Sequence, residues 1–518
     1  MLPLLRMPLS TTLRNLFLFL ALFPLSALAQ LPAPWPNSPA QREYRAVWLC
    51  TLGGMDWPGS RYAQTEYKAE IQRQALVEHF DQLQAAGINT ILFQTRIRST
   101  MAYPSQYEPW DGAFSGTPGV APPYDVLQFA IDEAHRRGME LHAYLVAYPI
   151  CSVTQTKQLG RQALPVRRPD LCQKCGDRWM MDPGVPGTAD YLANICREIV
   201  ERYDVDGIHL DYIRYPEKEI PFNDDRTYAR YGGGKPKAQW RRDNITRTVR
   251  LIHETIRSIR PWVRLSCSPL GKYDDLPRQT SRGWNARTTV SQDAQLWLKE
   301  GIMDALFPMM YYDNENFYPF ALNWQQESNG RPVAPGLGIY LLSPRERNWE
   351  FSRVLRQLNF LRHQDMGGQA FFRSKFLLDN HKGIYDFVRE YYRQPALTPA
   401  MTWVDSIAPA APKVTETLDG RTLRLRWEPV ADETPIVYNI YRITPEGPEL
   451  IAHHLRTTAY DLQPALPTRL HDRYVVVAMD AYGNESKFNT NYATTSRSNA
   501  RALAYPSAFC PHIPRGRK

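Results

Sequence analysis

The stretch Tyr203–Pro216, YDVDGIHLDYIRYP, gathers the most chemically suggestive residues of the chain. Read as a strand, it places His209, Asp211 and Ile213 on one face and Ile208, Leu210 and Tyr212 on the other. An aspartate ending an apolar strand is costly to desolvate, so it needs a partner or a chemical role. The plain alternative is a structural ion pair with Arg214 or Arg96. Other polar residues fall at similar strand ends. Gln94, Arg96 and Arg98 alternate off a second apolar run and suit recognition of hydroxyl, N-acetyl or carboxylate groups. His142 and Tyr144 share a face of a third, Tyr340 ends a seventh, and Arg373 follows an eighth. For His142 the commoner outcome is a buried, hydrogen-bonded imidazole. The pair Cys172-x-x-Cys175, with Cys151 nearby, reads as a loop disulfide in preference to a zinc site, whereas Cys50, Cys196 and Cys267 lie in apolar runs and read as inert core thiols.

The elements that must position these residues alternate along residues 40–395. Candidate strands are 46–50, 90–94, 141–146, 207–212, 264–268, 305–311, 334–340 and 369–372. Helical periodicity fills 66–86, 124–137, 188–203, 243–259, 290–300, 345–365 and 377–393, while 312–332 reads mostly as loop. Eight near-continuously apolar strands separated by helices predict a parallel (β/α)8 barrel of the TIM type, with a doubly wound open sheet as the alternative. The strand-to-helix connections are long and the reverse ones short, as at Ala86-Gly87-Ile88. That asymmetry puts the active site at the carboxyl ends of the strands.

Flanking segments have their own character. Residues 1–29 read as a cleavable signal peptide: Arg6 and Arg14, an apolar stretch from Leu16 to Leu25, then Ala27-Leu28-Ala29. This predicts export to the periplasm or cell exterior, with no membrane-spanning segment in the mature chain. Residues 396–412 are a Pro/Ala-rich linker and 506–518 a basic tail. Residues 413–505 alternate, as in Tyr438-Asn439-Ile440-Tyr441-Arg442, and predict a small all-β immunoglobulin-like sandwich. Its Trp427 and the run AMDAYGNES resemble a fibronectin type III domain. With 518 residues, 43% of them hydrophobic and 22% charged, the chain can bury a large core, which excludes disorder, collagen and coiled coil. The net charge of +9 is dispersed and comes with no nucleic-acid-binding motif.

Ordered motifs carry a further resemblance. Arg45-Ala46-Val47-Trp48-Leu49, Gly87-Ile88-Asn89-Thr90, Asp182-Pro183-Gly184, Asp206-Gly207-Ile208-His209-Leu210-Asp211-Tyr212, Ser268-Pro269 and Pro308-Met309-Met310-Tyr311 follow one another. Together they resemble the glycosyl-hydrolase-like family 10 domain, bacterial members of which cut denuded peptidoglycan glycan strands. The resemblance spans about 350 residues and implies hydrolysis of a GlcNAc/MurNAc-type glycan on a (β/α)8 fold. Many members carry two acids after the His-Leu, whereas here Tyr212 follows Asp211. The stretch is also similar to the family 18 chitinase signature, but Ile213 stands where that family has its proton-donating glutamate.

Glycoside hydrolysis by a carboxylate pair needs one group to protonate the leaving oxygen and another to attack the anomeric carbon or activate water. Asp211 is the expected nucleophile or charge-stabilising base. The fifth strand ends Ser266-Cys267-Ser268-Pro269 without a carboxylate, so the proton donor is sought in Tyr311-Tyr312-Asp313-Asn314-Glu315, at Asp313 or Glu315. His209, Arg214, Tyr311 and Tyr340 complete the expected sugar contacts, and Trp57 and Trp179 are loop aromatics suited to stacking on sugar rings. No metal and no cofactor is expected, and the partner is a polysaccharide. A non-catalytic glycan-binding barrel, or a hydrolase of another polysaccharide, is the alternative.

Overall fold

The computed structural model describes residues 42–494 apart from 278, 282, 445–446, 464–472 and 489–492. The expected signal peptide, the basic tail and Cys510 lie outside the described residues. The chain divides into two compact units between Ser406 and Ile407.

The first unit is built on eight parallel strands: β1 Tyr44–Leu49, β2 Thr90–Arg96, β3 Glu140–Val146, β4 Gly207–Asp211, β5 Arg264–Cys267, β6 Ala305–Leu306, β7 Gly336–Leu337 and β8 Gly368–Phe371. They hydrogen-bond in the order β7-β8-β1-β2-β3-β4-β5-β6. The two ends meet through parallel bridges from Leu306 to Val333 and from Met309 to Gly336. There the N–H groups of Ala334 and Gly336 donate to the carbonyls of Leu306 and Pro308 at 2.9 and 2.8 Å. Each strand thus neighbours its predecessor in sequence all the way round, the arrangement of a (β/α)8 barrel.

Strand alternation sorts the side chains into two layers. Tyr44, Ala46, Trp48, Leu92, Tyr144, Phe307 and Ala370 fill the barrel interior. Val47, Leu49, Ile91, Phe93, Leu145, Ile208 and Leu210 pack outward against the helices. Both faces are therefore apolar, which is why the strands read as continuous hydrophobic runs. The interior leaves no slack at its glycines: a Cβ on Gly207 would stand 2.6 Å from His142 Nδ1, and one on Gly336 2.8 Å from Trp48 Cη2. Several of the surrounding helices turn an apolar stripe inward, and some carry a side-chain N-cap. In Val126–Arg136 the Asp125 side chain accepts from the Gln128 N–H, and Val126, Leu127, Ala130, Ile131 and Ala134 are buried at helical spacing.

Some elements differ from the sequence expectation. The 312–332 crossover contains a helix, Tyr318–Gln326, whose buried Phe320, Ala321 and Trp324 fall at helical spacing but span barely more than one turn. β6 and β7 are short because prolines at 308, 332 and 335 interrupt the ladder donors. The long connection after β3 folds a three-stranded antiparallel sheet from Pro149–Ser152, Cys172–Cys175 and Arg178–Met181. This overturns the loop disulfide expected of Cys172-x-x-Cys175 with Cys151 nearby, and Cys151 is free as well. The Cys172 and Cys175 thiols are free, since they lie at opposite ends of one extended strand paired residue by residue with Arg178–Met181. Three strand steps separate their Cα atoms by about 10 Å, beyond disulfide reach. Cys50, Cys196 and Cys267 are free and buried. Among the described residues no group of three or more His, Cys, Asp or Glu side chains could hold a metal ion, and no helix is long and apolar enough to cross a membrane.

The second unit consists of β9 Val414–Asp419, β10 Thr422–Trp427, β11 Val437–Thr444, β12 Gly447–Leu455, β13 Ala459–Leu462, β14 Arg473–Met479 and β15 Ala493–Thr494. These form a sheet ordered β13-β10-β9-β15 and a second ordered β12-β11-β14. Leu423, Leu425 and Trp427 from one sheet share a core with Tyr438, Ile440, Tyr474 and Val476 from the other, so the unit is a sandwich, antiparallel except for the short β9–β15 pairing.

Candidate active site

Asp211 closes β4 at the carboxyl end of the barrel. There it helps to line a cavity of about 480 Å³, together with Cys50, Gln94, Val146, Tyr311 and Phe372, which end or follow five other strands. A cavity at this face and of this size is where barrel enzymes place a ligand. Asp211 is 6% exposed. Its Oδ2 accepts a hydrogen bond from the Tyr144 hydroxyl at 2.7 Å, and its Oδ1 accepts the Tyr212 N–H at 2.7 Å. Burial lifts its pKa above the ordinary carboxylate range; the Tyr144 hydroxyl, the Arg214 charge, the Tyr212 N–H and the Ser268 hydroxyl pull the other way. Its immediate partners are thus all donors, a set that favours the charged carboxylate while burial keeps it basic.

A polar chain backs this carboxylate inside the barrel. Ser268 Oγ lies 2.9 Å from His209 Nε2, and Ser266 Oγ lies 3.0 Å from His209 Nδ1. The Trp48 indole N–H also points at Nε2, at 3.2 Å. An indole nitrogen only donates, so Nε2 is the acceptor and the imidazole proton sits on Nδ1, donated to Ser266. Burial pushes the His209 pKa well below its usual range. His209 is therefore a neutral, fully buried support two residues below Asp211, with Trp48, Tyr144 and Phe307 around its ring.

The turn after β4 brings a second carboxylate that the sequence reading missed. Tyr212 adopts a left-handed backbone (φ 50°) and leaves the strand with its ring 38% exposed at the cavity rim. The Arg214 guanidinium stacks over that ring at 4.6 Å and donates from Nη1 to Glu217 Oε1 at 2.6 Å. Arg214 and Glu217 are 4% and 8% exposed, and both line the cavity with Asp211. The Arg214 Nε–H is buried without a partner among the described residues, as is the Tyr311 hydroxyl. Both are orphan polar groups lining the cavity, where a ligand could satisfy them. The signal for Glu217 was present: Arg214-x-x-Glu217 is an i,i+3 charge pair directly behind the Asp211 motif.

The remaining expected site residues divide between the cavity and the scaffold. Gln94 lines the cavity, its amide oxygen taken by the N–H groups of Thr51 and Leu52 at 2.9 and 2.8 Å. Arg98, Tyr144 and Tyr311 also line it. Arg96 does not: a register irregularity between Gln94 and Arg96 turns it away from both its neighbours in the pattern. It forms a fully buried ion pair with Glu108 at 2.6 Å and donates to the carbonyls of Val146 and Ala147. His142 lies deeper, fully buried, 3.1 Å from Glu140 Oε2. Tyr340 sits behind the cavity wall, edge-on to Tyr311 at 5.8 Å.

Neither expected acid reaches the cavity. Asp313 caps the Asn314 N–H and is ion-paired with Arg353 at 2.6 Å. Glu315 is exposed on the 3-10 turn Asn314–Asn316. That turn leads the chain away from Tyr311 before either side chain can point inward. Nor do tryptophans form the platform. Trp57 is buried against Phe93 and Phe114 and donates to the Gln72 carbonyl at 3.1 Å. Trp179 stays half-buried in the inserted sheet. The cavity's aromatic lining is instead Tyr144, Tyr212, Tyr215, Tyr311 and Phe372. Arg373 holds Asp56 in an ion pair. Burial outweighs that charge and pushes Asp56 up to about 6; Asp56 in turn accepts the Cys50 N–H at 2.7 Å, fixing the β1 end of the wall.

Comparison with known proteins finds relatives of this chain. The chain is 30% identical over 481 residues to glycosyl hydrolase YngK of Bacillus subtilis (strain 168), an alignment covering 87% of this chain and 93% of that protein. It is 34% identical over 298 residues to glycosyl hydrolase DigH of Escherichia coli (strain K12), covering 54% of this chain and 68% of that one. Among solved structures, the PgaB (BpsB) glycoside hydrolase domain from Bordetella bronchiseptica is similar at 12% identity and a TM-score of 0.45, covering 70% of this chain and 100% of that domain. The family model described as glycosyl hydrolase-like 10 matches residues 43–336. The chain belongs to the glycosyl hydrolase-like 10 family.

Proposed function

We propose that the protein is a glycoside hydrolase that cuts a peptidoglycan-type glycan at the carboxyl mouth of its barrel, with Asp211 and Glu217 as the carboxylate pair. The observation that carries this reading is the cavity itself, which two nearly buried carboxylates of one turn line together. Asp211, ringed by donors, acts on the anomeric carbon as nucleophile or charge-stabilising base. Glu217 is anchored through Oε1 by Arg214, while its Oε2 has no hydrogen-bond partner among the described residues. That second oxygen exchanges the proton with the glycosidic oxygen. The tyrosine-lined wall suits stacking against the C–H faces of sugar rings. The family relatives named glycosyl hydrolase support the reaction class. The signal-like residues 1–29 support export to the periplasm or cell exterior, where such a glycan lies, and the sandwich unit, fibronectin type III-like in its motifs, serves as a spacer or attachment module.

The test is digestion of peptide-stripped peptidoglycan glycan strands by the wild type and by Asp211→Asn, with products resolved by chromatography. New reducing ends from the wild type and none from the variant are expected. Equal product from both would remove Asp211 from the reaction, and no product from the wild type would remove the substrate.

A further inference from the structure

A second cavity of about 240 Å³ lies beside the first, and the two share Leu52 and Arg98 in their linings. Arg98 therefore stands at their junction, and a track through both cavities would pass it. The charged groups along this track are Arg98, Asp111, Asp177, Arg178, Asp211, Arg214 and Glu217. All but Arg98 are engaged. Asp111 accepts the Thr100 hydroxyl at 2.6 Å and the Ala113 N–H at 2.8 Å. Asp177 pairs with Arg178 at 3.2 Å, Glu217 with Arg214 at 2.6 Å, and Asp211 with Tyr144 and Tyr212. Arg98 is half-buried, yet it makes no hydrogen bond or ion pair with any described residue. Partly desolvating a guanidinium without a counter-charge costs free energy that an anionic ligand would recover. Its planar fork of donors matches a carboxylate.

We propose that Arg98 reads a carboxylate carried by the sugar that bridges the two cavities, so that the substrate is an acidic glycan spanning both and not a neutral one. This rests on the glycosidase reading above and deepens it. The two ends of the track then have different roles. The Asp211 end carries the bond-breaking groups, and the junction checks for a negative charge on the chain. A charge-assisted pair of this kind is worth about 10- to 100-fold in affinity.

The experiment compares peptide-stripped peptidoglycan glycan strands, whose alternate sugars bear a lactyl carboxylate, with the same strands after reduction of the carboxyl groups to alcohols. kcat/KM is measured for each on the wild type, Arg98→Gln and Arg98→Lys. The wild type is expected to favour the acidic strand by about tenfold or more. Arg98→Gln should bring that ratio close to one through KM, and Arg98→Lys should restore part of it. A polymer of uronic acids run in parallel distinguishes a ring-borne carboxylate from the lactyl one. Binding of both strands to the same proteins by calorimetry reads the preference even if no bond is cut, which separates failure of the hydrolase reading from failure of this one. An active wild type with no preference, or an Arg98→Gln variant with the wild-type ratio, overturns the proposal.

Discussion

Replacing Tyr144 by Phe removes one oxygen from a buried wall and leaves the ring in place. The lost hydroxyl donates to Asp211 Oδ2 at 2.7 Å, and a hydrogen bond to a charged group is worth about 1.5–3 kcal/mol. The bond stabilises the carboxylate over the carboxylic acid, so its loss pushes the already raised Asp211 pKa further up. A group that works as nucleophile or base must be ionised, so the penalty falls on the acid side of the pH profile. On that limb kcat/KM of Tyr144→Phe should drop by about 10- to 100-fold at any given pH, the converted value of that energy. On the alkaline plateau, where Asp211 is ionised in both proteins, the variant should match the wild type within about twofold. Initial rates on a soluble glycan fragment across the pH range measure both. An acid limb that does not move refutes the coupling between Tyr144 and Asp211. A plateau that collapses with the limb unmoved instead makes Tyr144 a direct participant.

Three further outcomes follow from the scaffold. Arg96→Met leaves the fully buried Glu108 without its partner and should cost about 3–5 kcal/mol in denaturant unfolding; a loss below about 1 kcal/mol would mean that the pair is dispensable. Gly207→Ala drives a methyl to 2.6 Å from the His142 ring and should destabilise the barrel by about 1–3 kcal/mol, whereas an unchanged melting temperature would show that His142 can yield. His79 has a buried Nε2 without a partner among the described residues, and burial holds its pKa down at about 4, below the ordinary 6.5. The folded protein therefore binds fewer protons than the unfolded chain between those values. Stability should fall as pH drops from 6.5 to 4, by at most about 3 kcal/mol, and His79→Leu should flatten that slope.

The barrel was legible because its strands, buried on both faces, read as continuous apolar runs, while the helices between them carry an apolar stripe. Asp211 was legible for the same reason, as a charge at the end of an apolar run. Groups whose placement depends on backbone irregularity were not. Alternation predicts that Gln94, Arg96 and Arg98 share a face, but a register irregularity at the end of β2 sends Arg96 into an ion pair with Glu108. Asp313 follows its strand closely in sequence, yet a 3-10 turn and Arg353 hold it aside. Glu217 sits in a loop, where no period applies, and reaches the cavity because Tyr212 turns left-handed and Arg214 pulls the carboxylate inward. Cys172 and Cys175 suggested a covalent link by spacing alone, and only the extended strand between them shows that they cannot meet.

The most direct test of the two-carboxylate site compares Asp211→Asn and Glu217→Gln on the natural glycan and on an aryl glycoside of the same sugar, whose leaving group departs without protonation. Loss of Asp211 should abolish turnover of both, by about 1,000-fold or more, the scale on which removing an essential catalytic group acts. Loss of Glu217 should abolish cleavage of the glycan yet leave the aryl glycoside turning over at a large fraction of the wild-type rate. A Glu217→Gln enzyme that cuts the natural strand at the wild-type rate would contradict the pairing of these two carboxylates.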